Sequence, residues 1–242
     1  MLLNSNLFTP FKTKRAFEEI ADQIRELIYS GVFKPGDKLP SERELAGQFK
    51  AGRMVVREAL RTLEHSGLIY IKQGSYGGAF IKDADATVMT RSISDMVRIG
   101  NVTLQNLTEA RLGIEMFLLE LAMTRMTDDD LELLEKNIVG AGDKIRKGVR
   151  TLDENTAFHV LLAKASKNPL CETIIKSIME VTKSFMSSLK PEMAYVNRVL
   201  DYHKEIFQSI REKNFQNARE KMEEHLLDIN RKVLELTGNQ KS

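Results

Sequence analysis

Arg53, Arg57 and Arg61 recur every fourth residue along one predicted helix while Val56, Leu60 and Leu63 line its opposite side, so one face packs and the other meets a partner. What flanks this helix sets the frame. Ala16–Tyr29 carries Phe17, Ile20, Ile24, Leu27 and Ile28 at amphipathic spacing and stops at Gly31. Phe33–Pro40 is a turn-rich connector, and Ser41 with Glu44 then has capping-box spacing for a second helix over Ser41–Phe49. Lys50-Ala51-Gly52 breaks the chain before the third helix, Arg53–Ser66. Beyond Gly67, the apolar runs Leu68–Ile71 and Ala79–Ile81 flank a Gly-rich tip, Gln73–Gly78, which predicts a β-hairpin. Helix, helix, short turn, helix and hairpin within about 80 residues is the winged helix-turn-helix order, whose third helix enters the DNA major groove. Arginine suits that face because its planar fork bridges two acceptors on a guanine edge or clamps a phosphate.

Composition is that of a folded globular chain, with 42% hydrophobic and 29% charged residues over 242 positions, enough for two domains. Residues 1–82 hold 13 Lys and Arg against 9 Asp and Glu, whereas 83–242 hold 23 against 25, a polarity too small to argue from alone. The sequence has no apolar run of the roughly 18 residues a membrane helix needs, and Met1–Pro10 lacks a signal-peptide pattern, so the expected compartment is the cytoplasm. The single Cys171, among apolar residues, reads as a bystander thiol.

Leu39-Pro40-Ser41-Glu42-Arg43-Glu44-Leu45 and Val56-Arg57-Glu58-Ala59-Leu60-Arg61-Thr62-Leu63-Glu64 resemble the signature of the GntR family of bacterial regulators. The resemblance covers about residues 15–82 and implies that Arg43, Arg53 and Arg57 contact operator DNA, with Gly74 letting the wing backbone approach the minor groove. Gly52, Met54 and Val55 depart from the hydroxyl-bearing or proline residues that relatives often carry there, which points to an altered operator.

After Asp83 periodicity weakens over a linker, 83–103, interrupted by a short helix near Val88–Arg98. The remainder reads as helices over Leu104–Met126, Asp128–Lys147, Asp153–Ser166, Leu170–Leu189, Met193–Lys213 and Phe215–Leu236, with Thr127 an N-cap and Asn168-Pro169 another helix start. Three of the four histidines lie in this half. Asn155 and His159 share a helix face, being four apart. His203 and His225 are 22 residues apart, about 33 Å on a continuous helix, but Lys213-Asn214-Phe215 is a break midway. Folding back there sets the two imidazoles opposite each other, so the geometry permits a three-His cluster, although isolated helical histidines are ordinarily core or surface residues. Three imidazoles and one oxygen suit zinc, nickel or another divalent ion and leave positions open.

Ala157-Phe158-His159 followed by Leu162-Ala163-Lys164-Ala165-Ser166-Lys167-Asn168-Pro169 is similar to the FCD-type ligand domain of the FadR subfamily, a bundle of six or seven helices. In its metal-binding members the ligands match Asn155, His159, His203 and His225, and Asn155 in place of the commoner Asp removes a charge and weakens the site. Glu109-Ala110-Arg111 also matches, with Arg111 implied to face an effector pocket; an intersubunit or helix-surface ion pair is the alternative. The expectation is therefore a mainly α chain: a winged helix-turn-helix over 1–82, the linker, and an all-helical effector-binding and dimerisation domain over 104–238. It would be a homodimeric, non-enzymatic regulator that binds double-stranded operator DNA under control of a small carboxylate, with repression the family's commoner habit. Two rivals remain: a metal-free regulator answering an acyl thioester, and a metal-dependent hydrolase on a DNA-binding head.

Overall fold

The computed structural model describes residues 15–83 and 85–238; Met1–Pro10 lies outside them. Its chain divides into two compact units, one ending at Val88 and the other beginning at Met89.

In the first unit, α1 (Ala16–Tyr29), α2 (Glu42–Gln48) and α3 (Arg53–His65) precede an antiparallel hairpin, β1 (Ile69–Lys72) and β2 (Gly78–Ile81), with Ile69 opposite Ile81 and Lys72 opposite Gly78. The capping box forms as the spacing predicts: the Ser41 hydroxyl accepts from the Glu44 amide at 3.3 Å while Glu44 accepts from the Ser41 amide at 2.8 Å. Ile20 and Ile24 of α1, Leu45 of α2 and Val56, Leu60 and Leu63 of α3 bury together against Ile69 and Ile81 of the wing. The connector does more than turn. Leu39 donates to the Ala79 carbonyl at 2.8 Å and Ile81 to the Asp37 carbonyl at 2.9 Å, which ties β2 to the chain entering α2. At the wing tip Gly74 has φ +103°, a conformation side-chain-bearing residues rarely adopt, and a Cβ on Gly77 would lie 2.2 Å from the Lys72 carbonyl oxygen.

The second unit is a helical bundle. α4 (Thr87–Ile99) is the short helix expected in the linker, but Ile93 and Val97 pack against Leu107, Ile178 and Val181, so the bundle extends into that stretch. Six long helices follow: α5 (Leu104–Arg125), α6 (Asp128–Arg146), α7 (Leu152–Ala165), α8 (Pro169–Leu189), α9 (Met193–Arg211) and α10 (Phe215–Gly238). Their shared core includes Leu119, Leu134, Phe158, Leu162, Ile206 and Leu226. Cys171 packs with Leu118, Ala163 and Met179, as a bystander would.

Asp130 fixes the start of α6. It accepts from the Thr127 amide at 2.9 Å and from Lys167, near the α7–α8 turn, at 2.5 Å. Burial would raise its pKa, but the Lys167 and Thr127 hydrogen bonds prevail and hold it below the usual aspartate value. A depressed folded pKa means stability that is present above the unfolded value, about 3.9, and lost as pH falls through the folded one. Asp130→Asn is expected to cost about 1 kcal/mol, roughly 2–4 °C in Tm, at pH 7. Thermal melts at descending pH should show that gap closing once the parent aspartate is protonated too.

Candidate DNA-reading face and candidate metal centre

Arg43, Arg53, Arg57 and Arg61 are all exposed, on the sides of α2 and α3 that the first core does not use. Arg57 is held by a partner the sequence did not reveal. Its Nε donates to Glu42 Oε1 at 3.0 Å and its Nη2 to Glu42 Oε2 at 2.7 Å, a two-point clasp from the first residue of α2. The Arg57 hydrogen bond holds the Glu42 carboxyl below its ordinary range, so the clasp is charged on both sides. No periodicity links residues on separate helices, and only the angle between α2 and α3 brings them together. Arg61 instead pairs with Glu58 on its own helix at 3.0 Å. Gly74 sits at the tip of the wing.

In the bundle, α9 ends at Arg211 and α10 begins at Phe215, with Lys213 in the left-handed region at φ 55°. The fold-back occurs at the break. His203 Nε2 lies 3.2 Å from His225 Nε2, and His225 Nε2 lies 3.2 Å from His159 Nε2 of α7. The candidate ligand atoms of all three lie within 4.8 Å of one another, and each residue is at most 3% exposed. Burial pushes His159 below the ordinary histidine value and His203 and His225 well below it, so the imidazoles are neutral at pH 7, the form that ligates metals. Phe158 stacks on the His203 ring at 3.9 Å between centroids and fixes its plane.

Three ring nitrogens facing one another satisfy each other poorly, since a hydrogen bond between two of them uses one proton and leaves the third nitrogen competing. Asn155, one turn before His159, keeps its Oδ1 buried and without a partner. Both features fit a cation held by three nitrogens and one amide oxygen.

Behind His159 stands a residue that sequence reading missed. Glu115 of α5 lies 2.5 Å from His159 Nδ1, which turns Nε2 toward the other histidines. Its other oxygen accepts from Arg111 Nε. Burial alone would raise the Glu115 pKa, yet Arg111 and His159 together bring it down to about 2, and the carboxylate is ionised. A carboxylate behind a ligating imidazole fixes its tautomer and raises its basicity. The four-residue spacing from Arg111 was the available signal.

Arg111 is 1% exposed, so its ion pair is buried within its own helix and not at the surface. Its Nη1 and Nη2 have no partner, and the residue lines a cleft of about 410 Å³, counted to its open mouth, together with Asn155 and Tyr195. An unpaired guanidinium edge at a cavity wall is costly unless an anion completes it.

A winged helix-turn-helix and a helical bundle in one chain define a class, the transcription regulators that carry a DNA-reading domain beside a second, all-helical domain. Residues 16–81 match the family described as bacterial regulatory proteins, gntR family, and residues 106–228 match the FCD domain. The chain belongs to the GntR family of transcription regulators, in its FCD-bearing, FadR-like branch. It is 29% identical over 211 residues to the HTH-type transcriptional regulator LutR of Bacillus subtilis, spanning 84% of this chain and 94% of that one. To the HTH-type transcriptional repressor NanR of Klebsiella aerogenes it is 27% identical over 235 residues, 93% of this chain and 88% of that one. A solved Streptococcus agalactiae GntR structure superposes with a TM-score of 0.68 at 31% identity, covering 89% of this chain and 99% of that one. Among the described residues no helix is long and apolar enough to cross a membrane.

Proposed function

We propose that the protein is a homodimeric, cytoplasmic repressor whose hold on its operator is set by a small carboxylate bound beside a divalent metal ion. Residues 1–82 carry the DNA contacts, from Arg43, Arg53 and Arg57 with the wing at Gly74, and 104–238 carry the sensor and the dimer contacts. Each recognition helix covers a half-site, so a two-fold operator with half-sites one helical turn apart suits a dimer.

The observation that carries the sensor reading is the buried Arg111 edge with two unpartnered nitrogens, coupled through Glu115 to the three-histidine cluster. Asn155, His159, His203 and His225 would hold zinc or nickel. When bound, the ion supplies fixed positive charge that attracts a carboxylate oxygen. Arg111 gives that carboxylate a two-pronged partner, Glu115 holds Arg111 and His159 in place, and the apolar cleft wall excludes water. In the hydrolase alternative Glu115 would have to serve as general base, but both of its oxygens are already engaged and it is held ionised as an anchor. A long acyl thioester would need more room than a cleft of about 410 Å³.

The test is a fluorescence-anisotropy titration of zinc-loaded protein onto a duplex that the protein itself has selected from a random pool, at fixed salt, with and without small organic acids. Operator affinity should change by roughly 5–150-fold with an effective acid. Unchanged affinity across a broad panel of mono-, di- and hydroxycarboxylates would reject acid control.

A further inference from the structure

The cleft beside Arg111 has a limited set of polar atoms. Among its lining residues Arg111 is the sole charged side chain. The Thr182 hydroxyl is already donated to the Ile178 carbonyl at 2.9 Å. With Asn155 Oδ1 turned to the ion, that leaves Arg111 Nη1 and Nη2, the Thr151 hydroxyl, and the Tyr195 hydroxyl, which is buried and without a partner. Met186, Val196, Val199 and Ile229 make the facing walls apolar.

Tyr195 is built to stay where it is. It is 3% exposed, and its ring is flanked by the Arg198 guanidinium at 5.2 Å and the Lys232 ammonium at 5.8 Å. Arg198 is anchored to Asp228 at 2.9 Å and Lys232 to Glu235 at 3.2 Å, so the flanking cations are themselves fixed. Burial and the nearby Asp228 push the phenol up, and it remains a neutral hydroxyl.

Counting partners against these atoms, we infer that the cleft selects a short aliphatic monocarboxylate bearing at most two further oxygens beside the carboxylate, with the buried, unpartnered Tyr195 hydroxyl the group that reads the first of them. Arg111 completes one carboxylate in two-pronged fashion. With the ion and Arg111 both directed at that first carboxylate, a second would be buried with no further cation to meet it, and a chain of three hydroxyls would outnumber the partners and face Met186 and Ile229 instead. The inference rests on the carboxylate-sensor reading above and narrows it to a class.

Four acids of equal carbon count separate the possibilities: butanoate, 2-hydroxybutanoate, succinate and 2,3,4-trihydroxybutanoate, each titrated calorimetrically into the full-length, zinc-loaded protein. Butanoate and 2-hydroxybutanoate should bind, and succinate and the trihydroxy acid should be weaker than either by about tenfold or more. Tyr195→Phe, which keeps the ring, should weaken 2-hydroxybutanoate by about tenfold and leave butanoate unchanged. Tighter binding of succinate or of the trihydroxy acid than of butanoate would overturn the class. An equal effect of Tyr195→Phe on all four acids, or none on any, would overturn the role of Tyr195. Failure of the sensor reading looks different: no acid binds the parent, or Arg111→Gln binds all of them as the parent does.

Discussion

A variant with His203 and His225 both changed to alanine is expected to hold no divalent ion, where the parent holds about one per chain by native mass spectrometry. Removing two of three nitrogens leaves His159 and Asn155, too few ligands for zinc at micromolar supply. A graded companion separates loss of ligands from loss of fold. Glu115→Gln keeps the shape and every first contact to the ion but weakens the acceptor behind His159, and should cost about 10–100-fold in zinc affinity. Full occupancy in the double variant would place the ion elsewhere. Occupancy unchanged by Glu115→Gln would mean that the 2.5 Å contact between Glu115 and His159 orders the apo core and nothing more.

The second large effect lies at the other end of the chain. Arg57→Ala should weaken operator binding by about 1–3 kcal/mol, roughly 5–150-fold, and relax preference at one base pair, as loss of a two-pronged base contact does. Arg43→Ala, if it removes a phosphate contact, should weaken all sequences evenly and lower the salt slope by about 1. Anisotropy titrations over a range of salt distinguish the two patterns. Glu42 bears on the outcome, because its clasp presents the Arg57 fork at a fixed angle before DNA arrives. A salt slope and base preference untouched by Arg57→Ala would remove that arginine from the interface.

Local chemistry explains why so much was legible. Ser41 with Glu44, Thr127 with the aspartates after it, and Asn168 before Pro169 each mark a helix start by hydrogen bonds to residues three ahead, and all three caps are present. The break at 213–215 likewise sufficed to bring His203 to His225, since a hairpin of two straight helices has one register once its turn is known. What escaped were relations between helices. Arg57 meets Glu42 through the α2–α3 angle, and the 34–40 connector finds a strand partner in β2 only after the wing folds.

α5 shows a different limit. Its buried stripe runs through Leu107, Arg111, Glu115, Leu118 and Ala122, so two of the inward positions carry charges and the apolar period is interrupted where the site is built. The helix could be placed from sequence, but its inward face could not be read from hydrophobicity. Arg111 entered through family resemblance, and Glu115, a turn further on, had no signal beyond its spacing. The same logic applies to α4: Ile93 and Val97 are partly buried against the bundle, too weak a stripe to tell a docked helix from a linker helix.

The central claim is that one chain couples a carboxylate site in the bundle to operator binding by the winged helices, and coupling free energy must be reciprocal. The direct measurement is calorimetric titration of 2-hydroxybutanoate into the zinc-loaded protein, alone and then saturated with the selected operator duplex. Two dissociation constants are expected, differing by the factor by which the same acid shifts operator affinity, with Arg111→Gln abolishing binding in both. Acid binding of equal strength in the two states would contradict the claim, leaving a DNA-binding protein whose cleft does not report to its operator.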